Sequence, residues 1–145
     1  MKTDFCQWGM SFAEAAAKAS DDRFHQVGCA AFNGDRRIIA TGYNGFPASV
    51  DEEYLSEKES STDWKDRNTR LIVSVHAEEN CCANFRRGEA STMFITIAPC
   101  PKCINILVAH KIKEVFYARP YEREQEKIDR LTKLYEQIIT IKHLC

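Results

Sequence analysis

The chain has 145 residues, the length of one ordinary domain, and its apolar fraction of 44% and charged fraction of 28% are typical of a globular protein. Its 20 basic and 21 acidic residues give a formal net charge of −1. This balance argues against a dedicated duplex-DNA binder, because such proteins usually carry a strongly basic face. No apolar run approaches the roughly 18 residues of a membrane helix, and the first residues lack the apolar region of a secretory signal.

Seven cysteines are many for this length, but too few for a disulfide-rich scaffold. Their number is odd, and two of them are adjacent in sequence. We therefore expect a reducing, cytoplasmic setting, where closely spaced cysteines indicate metal binding or catalysis. Five cysteines have no such spacing and are expected to be small apolar residues: Cys6, Cys29, Cys81, Cys82 and Cys145.

Helix-like and strand-like segments alternate along the chain, which predicts an α/β fold. The first two predicted strands are separated by Asn33–Gly34–Asp35, in which Asn-Gly is a strong hairpin signal. The pattern predicts helices over 8–19, 76–87, 101–110 and 122–135, with Gly88 ending the second. It predicts strands over 27–32, 36–43, 91–97, 114–118 and 137–141.

The predicted order is α-β-β-α-β-α-β-α-β. Strands joined through helices become parallel neighbours by right-handed crossovers, whereas the hairpin is antiparallel. We therefore predict a five-stranded mixed sheet with helices on both faces. Residues 48–70 show no clear periodicity, which predicts a long loop with one short helix; loops of this kind often bind ligands.

Three residues form a pattern typical of a metal site. Cys100 and Cys103 are spaced as C-x-x-C at the start of a predicted helix, so both sulfur atoms can reach one ion. A helix N-terminus also favours the thiolate form that a metal requires. His76 begins another predicted helix and supplies a third ligand. One histidine with two cysteines is a known catalytic zinc set, which leaves the fourth position to water.

Glu78 lies two residues after His76, and its position suits a neighbour of the metal better than a ligand. Zinc lowers the pKa of a water molecule that it binds, and an adjacent carboxylate can accept the released proton. The order H-x-E followed by P-C-x-x-C is the signature of zinc-dependent nucleobase deaminases. The chain contains both halves, at residues 76–78 and 99–103.

Two other interpretations of the C-x-x-C pair remain open. It could be a thioredoxin-like redox pair, although that motif usually follows the first strand of its fold. It could also belong to a structural zinc site, which needs a fourth protein ligand; Cys81 and Cys82 are the nearest candidates. His25, His110 and His143 have no ligand partner at a useful spacing and are expected to be structural or exposed.

At these residues the chain resembles the deoxycytidylate (dCMP) deaminase family of the cytidine deaminase-like superfamily. The zinc motif marks the superfamily, and the motif Gly-Tyr-Asn-Gly-x-Pro at residues 42–47 narrows the resemblance to dCMP deaminases. The resemblance covers nearly the whole chain except residues 48–70. Its segments are 27–30, 42–47, 76–80, 92–103 and 112–117.

The resemblance implies a three-layer α/β/α cytidine deaminase-like fold, with residues 1–145 as a single zinc-dependent deaminase domain. It implies hydrolytic deamination of dCMP to dUMP and ammonia, with Zn²⁺ as cofactor and a small-molecule nucleotide as substrate. No membrane or duplex nucleic acid is expected as a partner. Members of the family typically form homo-oligomers, and many are activated by dCTP and inhibited by dTTP.

The resemblance also implies roles for individual residues. His76, Cys100 and Cys103 would bind zinc, and Glu78 would carry the proton. Asn44 would hydrogen-bond the sugar, the backbone of Ala77 would bond the pyrimidine carbonyl, and Tyr121 would lie near the pocket.

The chain departs from the family at two positions, since Ser49 and Lys111 stand where the family commonly has glycine. Residues 48–70 contain no glycine-rich phosphate cradle. The candidates for contact with the 5′-phosphate are therefore Lys65, Arg67 and Arg70, although each could equally be a solvated surface charge.

Two alternative functions remain open. The first is deamination of a related cytosine compound: a 5-modified dCMP, dCTP, a nucleoside, a free base or a base in nucleic acid. The second is a catalytically inactive zinc-binding scaffold.

Overall fold

The computed structural model describes residues 4–144, so the prediction for Cys145 lies outside the described residues. The helices are α1 (Phe5–Ala17), α2 (Glu52–Lys58), α3 (Arg67–Arg70), α4 (Ala77–Cys82), α5 (Pro101–Ala109) and α6 (Gln125–Leu134). The strands are β1 (Gly28–Phe32), β2 (Ile38–Tyr43), β3 (Thr92–Ile97), β4 (Glu114–Arg119) and β5 (Thr140–His143).

The strands form one mixed sheet in the order β2-β1-β3-β4-β5. Strand β1 runs antiparallel to both β2 and β3, whereas β3, β4 and β5 are parallel. Each parallel pair needs a crossover, which α5 provides between β3 and β4, and α6 between β4 and β5. The predicted five-stranded mixed sheet is confirmed.

Helices cover both faces of this sheet. Helix α1 packs on one face, where Met10 joins a buried cluster with Phe32 and Phe94. Helices α4 and α5 pack on the other face, where Cys81 and Leu107 belong to a second buried cluster. This arrangement confirms the α/β/α layers of the cytidine deaminase-like fold.

The segments that form the site lie together at one end of the strands, which we call the sheet edge. Because β1 runs antiparallel to its neighbours, its amino end lies beside the carboxyl ends of β2, β3 and β4. The start of α4 is held at the same edge, since Gly45 and Val75 exchange two backbone hydrogen bonds of 3.1 and 2.7 Å. Loops from distant parts of the sequence therefore meet in one place.

Gly42 in β2 allows α4 to approach the sheet closely. A Cβ atom at this position would lie 2.5 Å from the carbonyl oxygen of Ala77 and 2.5 Å from the amide nitrogen of Cys81. Both are backbone atoms, so a larger residue could be accommodated only by moving α4 as a whole. The glycine thereby sets the distance between the sheet and the first turn of α4.

The largest error of the sequence-based helices concerns α4. A helix was predicted over 76–87, but it ends at Cys82. The carboxylate of Glu89 accepts a hydrogen bond of 2.9 Å from the amide of Arg86, and such side-chain contacts compete with helical ones. Gly88, predicted to end the helix, instead adopts a left-handed φ of 86° in the turn that follows.

Other boundaries differ by fewer residues. Helix α1 begins at Phe5 because the Asp4 carboxylate accepts a hydrogen bond of 2.9 Å from the amide of Cys6 and caps the helix. Residues 48–70 contain two short helices, α2 and α3, where one was predicted. The last helix and strand both begin three residues later than predicted.

The predicted hairpin between β1 and β2 is confirmed, and residues 33–37 separate its two strands. The left-handed residue is Arg36, with φ of 59°, and not Gly34. The side-chain oxygen of Asn33 accepts hydrogen bonds from the amides of Asp35 and Arg37 at 2.9 and 3.0 Å. A longer turn is thus stabilised by asparagine rather than by glycine.

Ser49 and Lys111 both adopt left-handed backbone conformations, with φ of 74° and 65°. These are the two positions where the resembled family commonly has glycine. A non-glycine residue in this conformation costs roughly 1–2 kcal/mol, so the backbone here keeps a glycine-like shape without the glycine. Within residues 4–144, no helix is both long and apolar enough to cross a membrane.

We expect Gly42→Ala to lower the free energy of unfolding by about 1–3 kcal/mol, because the added methyl group overlaps backbone atoms of α4. Gly34→Ala is the matched control, since a Cβ atom there would meet nothing within 4 Å. Urea unfolding followed by circular dichroism measures both. Equal stability of the two variants would contradict the close contact between β2 and α4.

Candidate active site and metal centre

Three side chains converge between the first turns of α4 and α5. The Nδ1 atom of His76 lies 3.2 Å from the Cys103 sulfur and 3.6 Å from the Cys100 sulfur. The ligand atoms of all three residues lie within 4.8 Å of one another. The structure therefore brings together the three residues that the sequence predicted as metal ligands.

The local sequence explains this convergence. His76 occupies the N-cap position of α4, and Cys100 occupies the N-cap position of α5. Pro101 follows at the first position of α5, where the missing N–H is not needed. An ion pair of 3.7 Å between Lys102 and Glu79 links the two helices beside the site. Two helix N-termini thus face each other across the metal position.

The donor set fits zinc. Tetrahedral zinc, with bonds of about 2.0–2.1 Å to nitrogen and about 2.3 Å to sulfur, places a nitrogen and a sulfur ligand roughly 3.6 Å apart. The observed distances of 3.2 and 3.6 Å are close to this value. Three protein ligands with one open position are typical of catalytic rather than structural zinc.

The pKa values of the Cys100 and Cys103 thiols are shifted in opposite directions. A hydrogen bond from the Cys103 thiol lowers the pKa of Cys100 to about 4, with a further contribution from His76. The same bond raises the pKa of Cys103, and the Cys100 sulfur also raises the pKa of His76. One sulfur is therefore already a thiolate at neutral pH, and metal binding must displace the proton from the other.

Glu78 lies at the second position of α4 and is only 4% exposed. Burial raises the pKa of its carboxyl group above the usual range, although a hydrogen bond with Cys103 acts in the opposite direction. A buried carboxyl group with increased proton affinity, beside the metal ligands, is suited to accepting and returning a proton. Glu78 lies beside the metal ligands, and its role as proton carrier stays a prediction.

Among the described residues, no fourth protein ligand joins the three. Cys81 and Cys82 are buried in the core, and Cys81 contacts Cys29 instead of the metal position. The fourth ligand required by the structural-zinc alternative is therefore not supplied by these two cysteines.

A cavity of about 500 Å³ opens in front of the metal ligands. His76, Glu78 and Cys100 form part of its wall, together with the predicted substrate contacts Ala77 and Tyr121. The N–H of Ala77 belongs to the first turn of α4, where amides lack acceptors within the helix and remain free for a ligand. Burial raises the pKa of the half-buried Tyr121, whose hydroxyl group therefore stays protonated.

Asn44 lines the same cavity, but its side chain already has two backbone partners. Its oxygen accepts a hydrogen bond of 2.9 Å from Val27 N, and its NH₂ group donates one of 2.7 Å to His25 O. A second donor and a second acceptor position of the amide remain for a ligand. The predicted contact between Asn44 and a sugar stays a prediction.

The three predicted phosphate candidates lie in different environments. Lys65 is exposed and lies outside the cavity wall, whereas Arg67 is part of that wall. Arg70 is buried, and its guanidinium group lies 3.3 Å from the carbonyl oxygen of Asp21 and 4.2 Å from the ring centroid of Phe46. Arg70 is therefore a structural clamp that holds α3 against the preceding loops.

Arg123 and His25 are among the residues of the cavity wall that sequence reasoning missed. Arg123 lies in the connection after β4, two residues beyond Tyr121. Its position after the carboxyl end of a parallel strand was a usable signal, since ligands bind at such ends in α/β sheets. His25 was expected to be structural or exposed, but it is half-buried and lines the cavity.

Comparison with known proteins identifies the family. The family model for the cytidine and deoxycytidylate deaminase zinc-binding region matches residues 4–119. The chain belongs to this family. The match to a zinc-binding family, together with the donor set, confirms zinc as the cofactor and His76, Cys100 and Cys103 as residues positioned to hold it.

Individual relatives agree with this assignment. The chain is 32% identical over 138 residues to a probable deoxycytidylate deaminase of Caenorhabditis elegans, which covers 90% of this chain and 68% of the relative. It is 32% identical over 126 residues to the deoxycytidylate deaminase of Mycobacterium phage D29, and this match covers 81% of this chain and 97% of the relative. The dCMP deaminase of cyanophage S-TIM5, solved with dCMP and dUMP, shares the fold, with a TM-score of 0.72, 24% identity and 99% of each chain covered.

We expect Arg70→Ala to lower the free energy of unfolding by about 2 kcal/mol, because carbonyl groups lose their donor and Phe46 loses its stacked cation. Arg87→Ala, at an exposed arginine, is the control and should change stability by less than about 0.5 kcal/mol. Thermal unfolding measures both variants. If Arg70→Ala were as stable as the control, the clamp would not contribute to folding.

Proposed function

We propose that this protein deaminates dCMP hydrolytically, yielding dUMP and ammonia. The observation that carries the proposal is the buried Glu78 carboxyl group beside a three-ligand zinc position at the end of a nucleotide-sized cavity. Membership of the deaminase family and the curated names of its relatives support the choice of substrate.

When bound, zinc supplies Lewis acidity and lowers the pKa of water at its open position. Glu78 accepts the proton released there and delivers it to N3 of the cytosine ring. The oxygen of that water bonds to C4, and Glu78 then carries the remaining proton of this oxygen to the amino group on C4. The C4–N bond breaks, ammonia leaves, and the oxygen from water becomes the C4 carbonyl of dUMP, so atoms and protons balance.

Other groups of the cavity orient the substrate in this proposal. The Ala77 amide donates a hydrogen bond to the pyrimidine carbonyl, and Asn44 uses its remaining amide positions for the sugar. Tyr121 borders the base. The hydrogen bonds of Asn44 to the backbone at His25 and Val27 support this role, because they hold the amide in one orientation.

The alternatives differ in what they would require of the site. A polynucleotide deaminase needs a basic channel or a stacking platform, which a net charge of −1 disfavours. A free-base deaminase would not need Asn44. An inactive zinc scaffold would not need a carboxyl group buried to 4% exposure, since burying such a group without a use costs stability.

We further propose a cytoplasmic enzyme that assembles as a homo-oligomer. Cys100 and Cys103 must remain reduced to bind metal, which a reducing compartment ensures. Exposed apolar side chains on α6 and just beyond it, Leu134 at 65% and Ile138 at 52%, support assembly.

Replacing Glu78 tests the proton-transfer step. We expect Glu78→Gln to lower kcat for dCMP by roughly 10²–10⁴-fold, because the amide cannot transfer protons, whereas zinc should remain bound. Ammonia release and zinc content are measured on the same samples, with the exposed Glu57→Gln as control. A Glu78→Gln variant that deaminates dCMP at a near-normal rate would overturn the proposed mechanism.

A further inference from the structure

Arginines without carboxylate partners surround His25 at the boundary of two cavities. His25 lines the cavity in front of the metal ligands and also a neighbouring cavity of about 640 Å³. Arg67 and Arg123 lie in the wall of the first cavity, and Arg119 lies in the wall of the second. Among residues 4–144, none of these three arginines forms a salt bridge.

The charges of these arginines act on His25. Desolvation, followed by the charge of Arg67, lowers the pKa of His25 below its ordinary value of 6.5, with smaller contributions from Arg119 and Arg123. Asp22 acts in the opposite direction, but does not outweigh these effects. An anion between the guanidinium groups would relieve their repulsion and favour a protonated imidazole.

The backbone fixes where His25 lies relative to the rest of the site. The Asp22 carboxylate accepts hydrogen bonds from the amides of Phe24 and His25, at 2.9 and 3.1 Å, and holds this turn. The Asn44 amide donates to the His25 carbonyl at 2.7 Å. A nucleotide whose base faces Glu78 and whose sugar meets Asn44 would therefore direct its phosphate towards His25.

We propose that Arg67, Arg123 and His25 form the subsite for the 5′-phosphate, and that His25 takes up a proton when the phosphate binds. This inference rests on the proposed function, because it names the phosphate contacts of that same site. Arg123 and His25 are specificity-determining residues in this arrangement: they distinguish a nucleotide from its nucleoside.

The proton uptake gives binding a defined pH dependence. A phosphate raises the pKa of His25 in the complex above that of the free protein. The extra affinity is complete below the free pKa, which lies under 6.5, and is lost as pH rises through the pKa of the complex. Besides Arg67, Arg119 and Arg123, the two cavity walls contain further charged or titratable side chains: Asp22, His76, Glu78, Glu122, Glu14, Lys18 and Arg23.

Direct binding of the product and its nucleoside tests this subsite independently of turnover. Isothermal titration calorimetry compares dUMP with deoxyuridine on the zinc-loaded protein. We expect Arg123→Gln to weaken dUMP binding roughly tenfold or more and to leave deoxyuridine binding within about twofold. Arg123→Lys should recover part of the loss. Arg119→Gln, in the second cavity, is the matched control and should keep dUMP affinity within about threefold.

The proton is measured by repeating the dUMP titration in buffers of different ionisation enthalpy between pH 6 and 8. We expect the wild type to take up more protons than His25→Gln. The ratio of their dUMP affinities should fall towards one as pH rises. Equal proton uptake by the two proteins, or equal loss of dUMP and deoxyuridine binding in Arg123→Gln, would overturn the proposal. A larger loss in Arg119→Gln than in Arg123→Gln would place the phosphate in the second cavity and also overturn it.

Failure of the phosphate-subsite proposal can be distinguished from failure of the proposed function. That failure would appear as no ammonia release from dCMP by the zinc-loaded wild type. The dUMP measurements would still decide the subsite, because they need no catalysis. Circular dichroism and thermal unfolding of each variant confirm that a change in affinity does not come from misfolding.

Discussion

The metal ligands come from two helices that are separated by a strand, so the distance between the first turns of α4 and α5 controls the whole site. Two contacts hold the start of α4 against the sheet, and a third bridges α4 and α5. Gly42 permits close packing of α4 on β2, Val75 pairs with Gly45 just before α4, and the Lys102–Glu79 ion pair bridges the helix starts. Because two of these contacts involve backbone atoms, the His76–Cys103 distance depends on packing more than on side-chain conformation. The distances between the metal ligands are therefore set by backbone packing at the sheet edge.

The same packing gives the site its electrostatic character. Helix α4 lies directly on the sheet, so Glu78 in its first turn is buried, and its pKa rises because the ionised form has lost water. The neighbouring Cys100 is affected in the opposite way, because a thiol donor lowers its pKa. A carboxyl group whose pKa is raised and a thiol whose pKa is lowered are therefore neighbours. Glu78 suits proton transfer and Cys100 suits metal binding because their hydrogen bonds and their exposure to water differ, and not because of residue type alone.

The sequence alone was sufficient for the features that have a strong local signal. The C-x-x-C spacing, His76 and Glu78 identified the metal centre, and the alternation of helices and strands identified the sheet. The end of α4 was wrong because Glu89 bonds the backbone at Arg86, a contact that periodicity does not reveal. The position of His25 in the cavity wall and the structural contacts of Arg70 depend on residues far away in sequence. Arg70 looked like a possible ligand contact, but its burial against Phe46 shows a structural role.

The two ends of the cavity differ in the same way, because one depends on local backbone packing and the other on long-range side-chain contacts. The metal end is built from helix starts and strand ends, where backbone packing leaves little freedom. The opposite end is built from the turn at 22–25, helix α3 and the connection after β4, which are held mainly by side-chain contacts such as those of Asp22 and Arg70. Loops of this kind tolerate substitution more readily than strand ends do. Substitutions at the loop end can therefore change which cytosine compound binds, while the position of Glu78 relative to the metal ligands is preserved.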